Sequence, residues 1–66
     1  MDEDTRDLVR QLCTRAGMMM EDASLLAVTM PVRDREGTVA ALVRLTSEAT
    51  RIQALLAAAV SLAASG

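Results

Sequence analysis

The sequence predicts an all-helical protein in which two helices fold back on each other as an antiparallel hairpin. Apolar residues recur at the three- and four-residue spacing of amphipathic helices over most of the chain. That pattern has one convincing break, around Pro31 and Gly37. The segments on either side are rich in Ala, Leu, Met, Arg and Glu, which are strong helix formers. The 66 residues are therefore interpreted as one small helical domain, 1–66.

The first helix is predicted from about residue 4 to residue 29. Asp4 is a good N-cap residue, and the acidic residues around it suit the positive end of a helix dipole. Pro31 sets the end, because a residue before proline avoids the helical conformation. Gly17 costs about 1 kcal/mol in a helix interior, so a break there is an alternative. The apolar spacing continues across Gly17 and favours one helix.

The turn is predicted at about residues 30–37, where Val32 to Gly37 carries four charges. The second helix starts at Asp34 or at Thr38, both of which are capping types. Glu36 in the first turn favours Asp34. The helix is expected to run to about residue 64, with Gly66 as its terminator.

Each helix carries a broad apolar stripe in which small and large residues alternate, as is typical of four-helix bundles. In helix one the stripe consists of Val9, Leu12, Ala16, Met19, Ala23, Leu26 and Met30, flanked by Leu8, Cys13, Met20 and Ala27. In helix two it consists of Leu42, Leu45, Ala49, Ile52, Leu56, Ala59 and Ala63, flanked by Val39, Leu55, Val60 and Leu62. These stripes are wider than one partner helix covers.

Dimerisation of the hairpin into a four-helix bundle is the predicted solution. A chain this short buries only about 60% of its unfolded surface. Cys13 is the only cysteine, so an internal disulfide is excluded. With one Cys and no His, the common zinc sites are excluded as well. No charged residue follows Arg51, which indicates cover on more than one side. The alternative is a solvated surface of Ala and Ser. The predicted self-association residues are Leu8, Leu12, Ala16, Met19, Ala23, Leu26, Leu45, Ala49, Ile52, Leu55, Leu56, Ala59 and Leu62. The orientation of the two hairpins stays open.

This architecture resembles that of the Rop family of plasmid copy-number regulators, which are helical hairpins of similar length that dimerise into four-helix bundles. The resemblance covers the small-and-large pattern of both helices and no sequence motif. Rop-type RNA binding uses basic, polar and aromatic residues on one helix face. This sequence has no Lys and no aromatic residue, so the resemblance implies the architecture by analogy and not the activity.

Few residues suggest chemistry. Met18, Leu25 and Val28 form a second apolar strip, interpreted as a partner site, as part of the dimer or as scattered surface. Met18, Met19 and Met20 near Cys13 resemble soft Cu(I) ligands, but their positions favour packing. Cys13 has no His to activate it and is expected to be buried and unreactive. Glu21 and Asp22 point about 100° apart and cannot form a catalytic pair.

The predicted function is a non-enzymatic structural or protein-interaction module that acts as a homo-oligomeric helical bundle. The alternative is a small regulator, of antitoxin or anti-sigma type, that binds a target protein through its apolar helix faces. Without His, Tyr, Lys or a phosphate-binding loop, no enzyme, cofactor or metal is expected. A pI near 4.8 with mixed charges argues against nucleic acid.

No membrane span is expected either, because the longest uncharged run, Ile52 to Gly66, is shorter than the roughly 20 apolar residues that a span requires. The acidic start does not fit a secretory signal, so a cytoplasmic location is expected. Arg without Lys, together with abundant Ala, is typical of a GC-rich bacterial genome.

Overall fold

The computed structural model describes residues 1–30 and 32–65, which form two α-helices. Helix α1 spans Glu3–Thr29 and helix α2 spans Arg35–Ser65, and no strand occurs in these ranges. The predicted all-helical fold with two helices is confirmed. The predicted roles of Pro31 and Gly66 as helix terminators lie outside the described residues.

Helix α1 is capped by Asp2, so the predicted cap at Asp4 is wrong. The Thr5 N–H donates to Asp2 Oδ1 at 2.7 Å, and the Arg6 N–H donates to the Asp2 carbonyl at 3.0 Å. This start places Glu3 and Asp4 in the first turn, where the helix dipole favours acidic side chains. Hydrogen bonding to Thr5, through its side chain and then its backbone, lowers the pKa of Asp2. The cap therefore stabilises the helix above the ordinary carboxyl range, and this is lost as the pH falls through the lowered pKa.

Helix α2 is capped by Asp34. The Gly37 N–H donates to Asp34 Oδ1 at 2.6 Å, and the Thr38 N–H donates to the Asp34 carbonyl at 3.1 Å. A Cβ at position 37 would lie 2.9 Å from the same carboxylate oxygen. Glycine thus leaves the space that this short cap requires.

The two helices pack antiparallel along one stripe of each, here called the inner seam. Leu26 lines a groove with Ala41, and Met19 lines another with Leu55, so residue numbers rise on α2 as they fall on α1. The seam residues are mostly half-buried and recur at spacings of three and four: Thr5, Val9, Leu12, Ala16, Met19, Ala23, Leu26 and Met30 on α1, and Thr38, Ala41, Leu45, Glu48, Ile52, Leu55, Ala59 and Leu62 on α2. This is the heptad pattern of a two-stranded coiled coil.

The core between the helices is thin. Among the described residues only Ala16, at 1% exposure, and Ala59, at 6%, are buried. Helix α1 runs unbroken through Gly17, where an added Cβ would meet nothing within 4 Å. Two helices alone therefore hide alanines but leave every large side chain at least partly in contact with solvent.

The predicted stripe on α2 needs a correction of one position. Leu45, Ile52 and Ala59 lie in the inner seam as predicted. The other predicted members, Leu42, Ala49, Leu56 and Ala63, are exposed. Their places in the seam are taken by the residues one position earlier, which are Ala41, Glu48, Leu55 and Leu62. One residue turns a helix by about 100°, so the predicted and the observed stripes lie beside each other on α2. The stripe that packs against α1 is the one that contains Ala41, Glu48, Leu55 and Leu62.

Candidate interaction surfaces

One broad side of the hairpin is charged. Arg15 of α1 lines a groove with Arg51 of α2, and Asp22 of α1 lines another with Arg44 and Glu48. Arg51 Nη1 lies 3.6 Å from Glu48 Oε1, and the two side chains are 72% and 28% exposed. An exposed pair of this length contributes less than about 1 kcal/mol. This surface, defined by Arg15, Asp22, Arg44, Glu48 and Arg51, is called the charged side.

The opposite broad side carries no charge in its middle part, whereas Arg6 and Arg10 of α1 and Arg35 of α2, each seven residues before a member of this side, bring charge to its two ends. Because the helices are antiparallel, the flanks of α1 and α2 that point away from the charged side also meet each other. We call this surface the uncharged face, and it consists of Cys13, Gly17, Met20, Ser24 and Ala27 on α1 and of Val39, Leu42, Thr46, Ala49, Gln53, Leu56, Val60 and Ala63 on α2. All of these residues except Gly17 are exposed. Val60, at 68%, shows how much apolar surface is left open.

Of the hydroxyl and amide side chains on the uncharged face, Thr46 is hydrogen-bonded within its own helix, whereas Ser24 and Gln53 are exposed to solvent. The Thr46 hydroxyl donates to the Leu42 carbonyl at 2.9 Å. At the edge of the face, the Thr50 hydroxyl donates to the Thr46 carbonyl at 3.1 Å. A hydroxyl bonded in this way is buried at little cost, because its donor is already paired. Gln53 is the one long polar side chain on the α2 part of this face.

A smaller apolar strip lies on the outer surface of α1. Met18 and Leu25 are separated by two helical turns, and Val28 lies beside them. Val28 is the most exposed of the three, at 80%. Met18 also lines a groove with Asp7, Arg10 and Asp22, so this strip is bordered by charges. It lies on the same side as the charged side and is separate from the uncharged face.

The predicted self-association residues divide into two groups in the hairpin. Ten lie in the inner seam: Leu12, Ala16, Met19, Ala23, Leu26, Leu45, Ile52, Leu55, Ala59 and Leu62. Leu8, Ala49 and Leu56 are exposed. Ala49 and Leu56 belong to the uncharged face, whereas Leu8 lies on the α1 flank that carries Arg15. The first group thus holds the hairpin together, and only the second remains available in full to another chain.

Cys13 is exposed in the hairpin, which contradicts the expectation of a buried thiol. The sequence correctly places it beside the seam, but one neighbouring helix does not cover that flank. Met19 lies in the inner seam as predicted, whereas Met18 and Met20 are exposed. Three adjacent helical residues point in three directions, so these methionines do not converge on one point.

The carboxylates form no site of their own. Glu21 and Asp22 are exposed, and Asp22 shares its groove with Arg44 and Glu48. Sequence reasoning did not single out Glu48 as a seam residue. The available signal was its spacing of three and four from Leu45 and Ile52. Among the described residues no group of three metal-ligating side chains occurs. Neither helix, over its described length, is apolar enough to cross a membrane.

No protein-family model matches the chain, and comparison with curated proteins and with solved structures gives no match. Function is therefore inferred from the surfaces described above.

Proposed function

We propose that this chain is a non-enzymatic protein-interaction module whose working form is a homo-oligomeric helical bundle. The observation that carries the proposal is its surface area. The hairpin exposes 5183 Å², whereas a folded monomer of its 7.0 kDa mass exposes about 4,000 Å². The excess is roughly 1,100 Å², and each partner in a stable interface buries about 800 Å². The excess is therefore large enough to form one such interface.

The arrangement of the residues supports a binding role over catalysis. The grooves between the helices are open and shallow, whereas catalytic sites are concave and enclose their substrates. The charged side chains that line them are exposed Arg and Asp residues and the half-buried Glu48, with no His among them. In contrast, the apolar surface is large and continuous along α2.

Sedimentation of the full chain tests this proposal. Between about 1 and 500 µM we expect the apparent mass to rise from 7.0 kDa to a multiple of it. We also expect the melting temperature, followed by circular dichroism, to rise with concentration, because association stabilises the folded form by mass action. A chain that stays a folded, helical monomer at about 100 µM contradicts the proposal.

The small regulator is the second candidate function. Its supporting observation is the exposure of Met18, Leu25 and Val28 at 63%, 64% and 80%, outside both the inner seam and the uncharged face. A regulator of this kind exchanges its own partner for a target helix, as helix-in-groove binders do. Two results together favour this candidate. One is weak self-association, with a dissociation constant above about 100 µM. The other is tight capture of one host protein by the wild type but not by a Leu25→Glu variant.

A further inference from the structure

We propose that the uncharged face is the self-association surface, and that its occupant is the same face of a second copy of this chain. The inference rests on the proposed homo-oligomeric function and names the surface that carries it. The hairpin has two broad sides of equal length, and the uncharged face is the one that a second copy covers.

The two broad sides differ first in charge. Covering the charged side would remove Arg15, Arg44 and Arg51 from water together with two carboxylates, and desolvation of ionised groups costs several kcal/mol per ion unless each is well paired. The uncharged face requires no such desolvation from Cys13 to Ala27 on α1 or from Val39 to Ala63 on α2.

The size of the hairpin also bears on what a second copy can cover. The hairpin measures 51 × 16 × 10 Å, so one broad side has an area of roughly 800 Å², which is the contribution of each partner to a standard interface. The uncharged face takes up about 36 Å of that length on α2, from Val39 to Ala63, and about 21 Å on α1, from Cys13 to Ala27. Covering it removes part of the excess surface that the isolated hairpin shows.

The uncharged face is also self-complementary. A two-fold dimer places the same patch of both chains together, so any net charge on the patch repels its copy. Between Cys13 and Ala27 and between Val39 and Ala63 the uncharged face has no charged side chain, and the Thr46 hydroxyl is already bonded to the Leu42 carbonyl. Small residues such as Ala49 alternate with larger ones such as Leu56 along α2, so two copies can interdigitate.

A matched pair of substitutions tests the face. Ala49 lies on the uncharged face, and Ala54, on the same helix, lines the groove with Arg15 and Arg51 on the charged side. Both residues are exposed, so Ala49→Glu and Ala54→Glu carry the same intrinsic helix cost. In sedimentation equilibrium we expect Ala49→Glu to weaken association at least tenfold and Ala54→Glu to change it less than threefold. Equal effects, or the reverse order, overturn the inference.

Cys13 supplies a second measurement that needs no variant. It is exposed in the hairpin and lies on the uncharged face, so we expect its rate of labelling by a thiol reagent to fall at least fivefold as the wild-type protein is concentrated through its association range. A rate that does not change while the mass rises overturns the face and leaves the proposed function intact. A mass that never rises removes the proposed function itself.

Discussion

The two broad sides of the hairpin are formed by the same helices and have the same length, but their side chains differ in how favourably water hydrates them. The charged side places Arg15, Asp22, Arg44, Glu48 and Arg51 where solvent can hydrate them. The uncharged face exposes Leu42, Leu56 and Val60, which gain nothing from solvent. The hairpin therefore completes only part of the burial that its apolar residues favour, because Leu42, Leu56 and Val60 stay exposed on one side.

The largest expected effect comes from placing a charge on the uncharged face. Leu56 is 37% exposed in the hairpin, and in the proposed dimer Leu56→Asp buries an unpaired carboxylate, which should destabilise the assembly by about 3 kcal/mol or more. Sedimentation and urea unfolding measure the loss. Ala58→Asp, an exposed position on the charged side of the same helix, is the control and should retain wild-type association. Unchanged stability of Leu56→Asp would remove the distinction between the two sides.

A change in the inner seam affects the hairpin rather than one of its sides. Ile52 is half-buried there, and Ile52→Ala should lower the free energy of unfolding by about 2 kcal/mol through lost burial and packing. Val43, at 63% exposure, lies off the seam, and Val43→Ala should change stability by less than about 0.5 kcal/mol. Urea unfolding monitored by circular dichroism compares the two. Equal losses would mean that α2 packs on α1 through a different stripe.

The sequence was sufficient for α1 because that helix has one continuous apolar stripe. The buried and half-buried residues from Val9 to Met30 follow the predicted pattern, and the second apolar strip on that helix, which consists of Met18, Leu25 and Val28, is too short to compete with it. For α2 the same reasoning had two answers. Leu45, Ile52 and Ala59 fit both the predicted stripe with Leu42 and the observed stripe with Ala41. The two stripes have the same three- and four-residue spacing, but they place different sides of α2 against α1.

Glu48 explains why the wrong stripe was preferred. A carboxylate among apolar positions argues against burial, which favours Ala49 in its place. In the structure the Glu48 side chain lies at the margin of the seam, remains 28% exposed and pairs with Arg51. Single-helix periodicity cannot predict such a position, because its charge is accommodated by geometry between two helices. The exposure of Cys13 was missed for the related reason that cover depends on the number of neighbouring helices.

The cap at the start of α2 should have a moderate effect on stability. Asp34→Ala removes the acceptor for the Gly37 N–H and should cost about 1 kcal/mol, whereas Asp34→Asn keeps an acceptor and should cost less. Thermal unfolding measures both. If Asp34→Ala and Asp34→Asn are equally stable, the cap does not hold the start of α2.

Gly17 tests how closely a second copy approaches the α1 part of the uncharged face. In the hairpin an added Cβ meets nothing within 4 Å, so Gly17→Ala should raise the stability of α1 by about 0.5–1 kcal/mol through its better helix propensity. Unfolding at low and high protein concentration separates two cases. The same gain at both means that the partner leaves space at Gly17, and a loss confined to high concentration means that the two copies touch there.

The smallest effect is expected from the ion pair of the charged side. Its size tests whether the charged side is open to solvent. The Arg51 guanidinium lies 3.6 Å from the Glu48 carboxylate and is 72% exposed, so water and salt screen the attraction. Arg44, which lines the same groove as Glu48, is still present when Arg51 is replaced. Arg51→Gln should therefore change the free energy of unfolding by less than about 0.5 kcal/mol, and the change should fade in about 1 M salt. Urea unfolding at two salt concentrations measures it, with Arg33→Gln in the exposed turn as the control. A loss above about 1 kcal/mol that persists in salt is the behaviour of a pair shielded from solvent. That result would place a partner on the charged side and leave the uncharged face open.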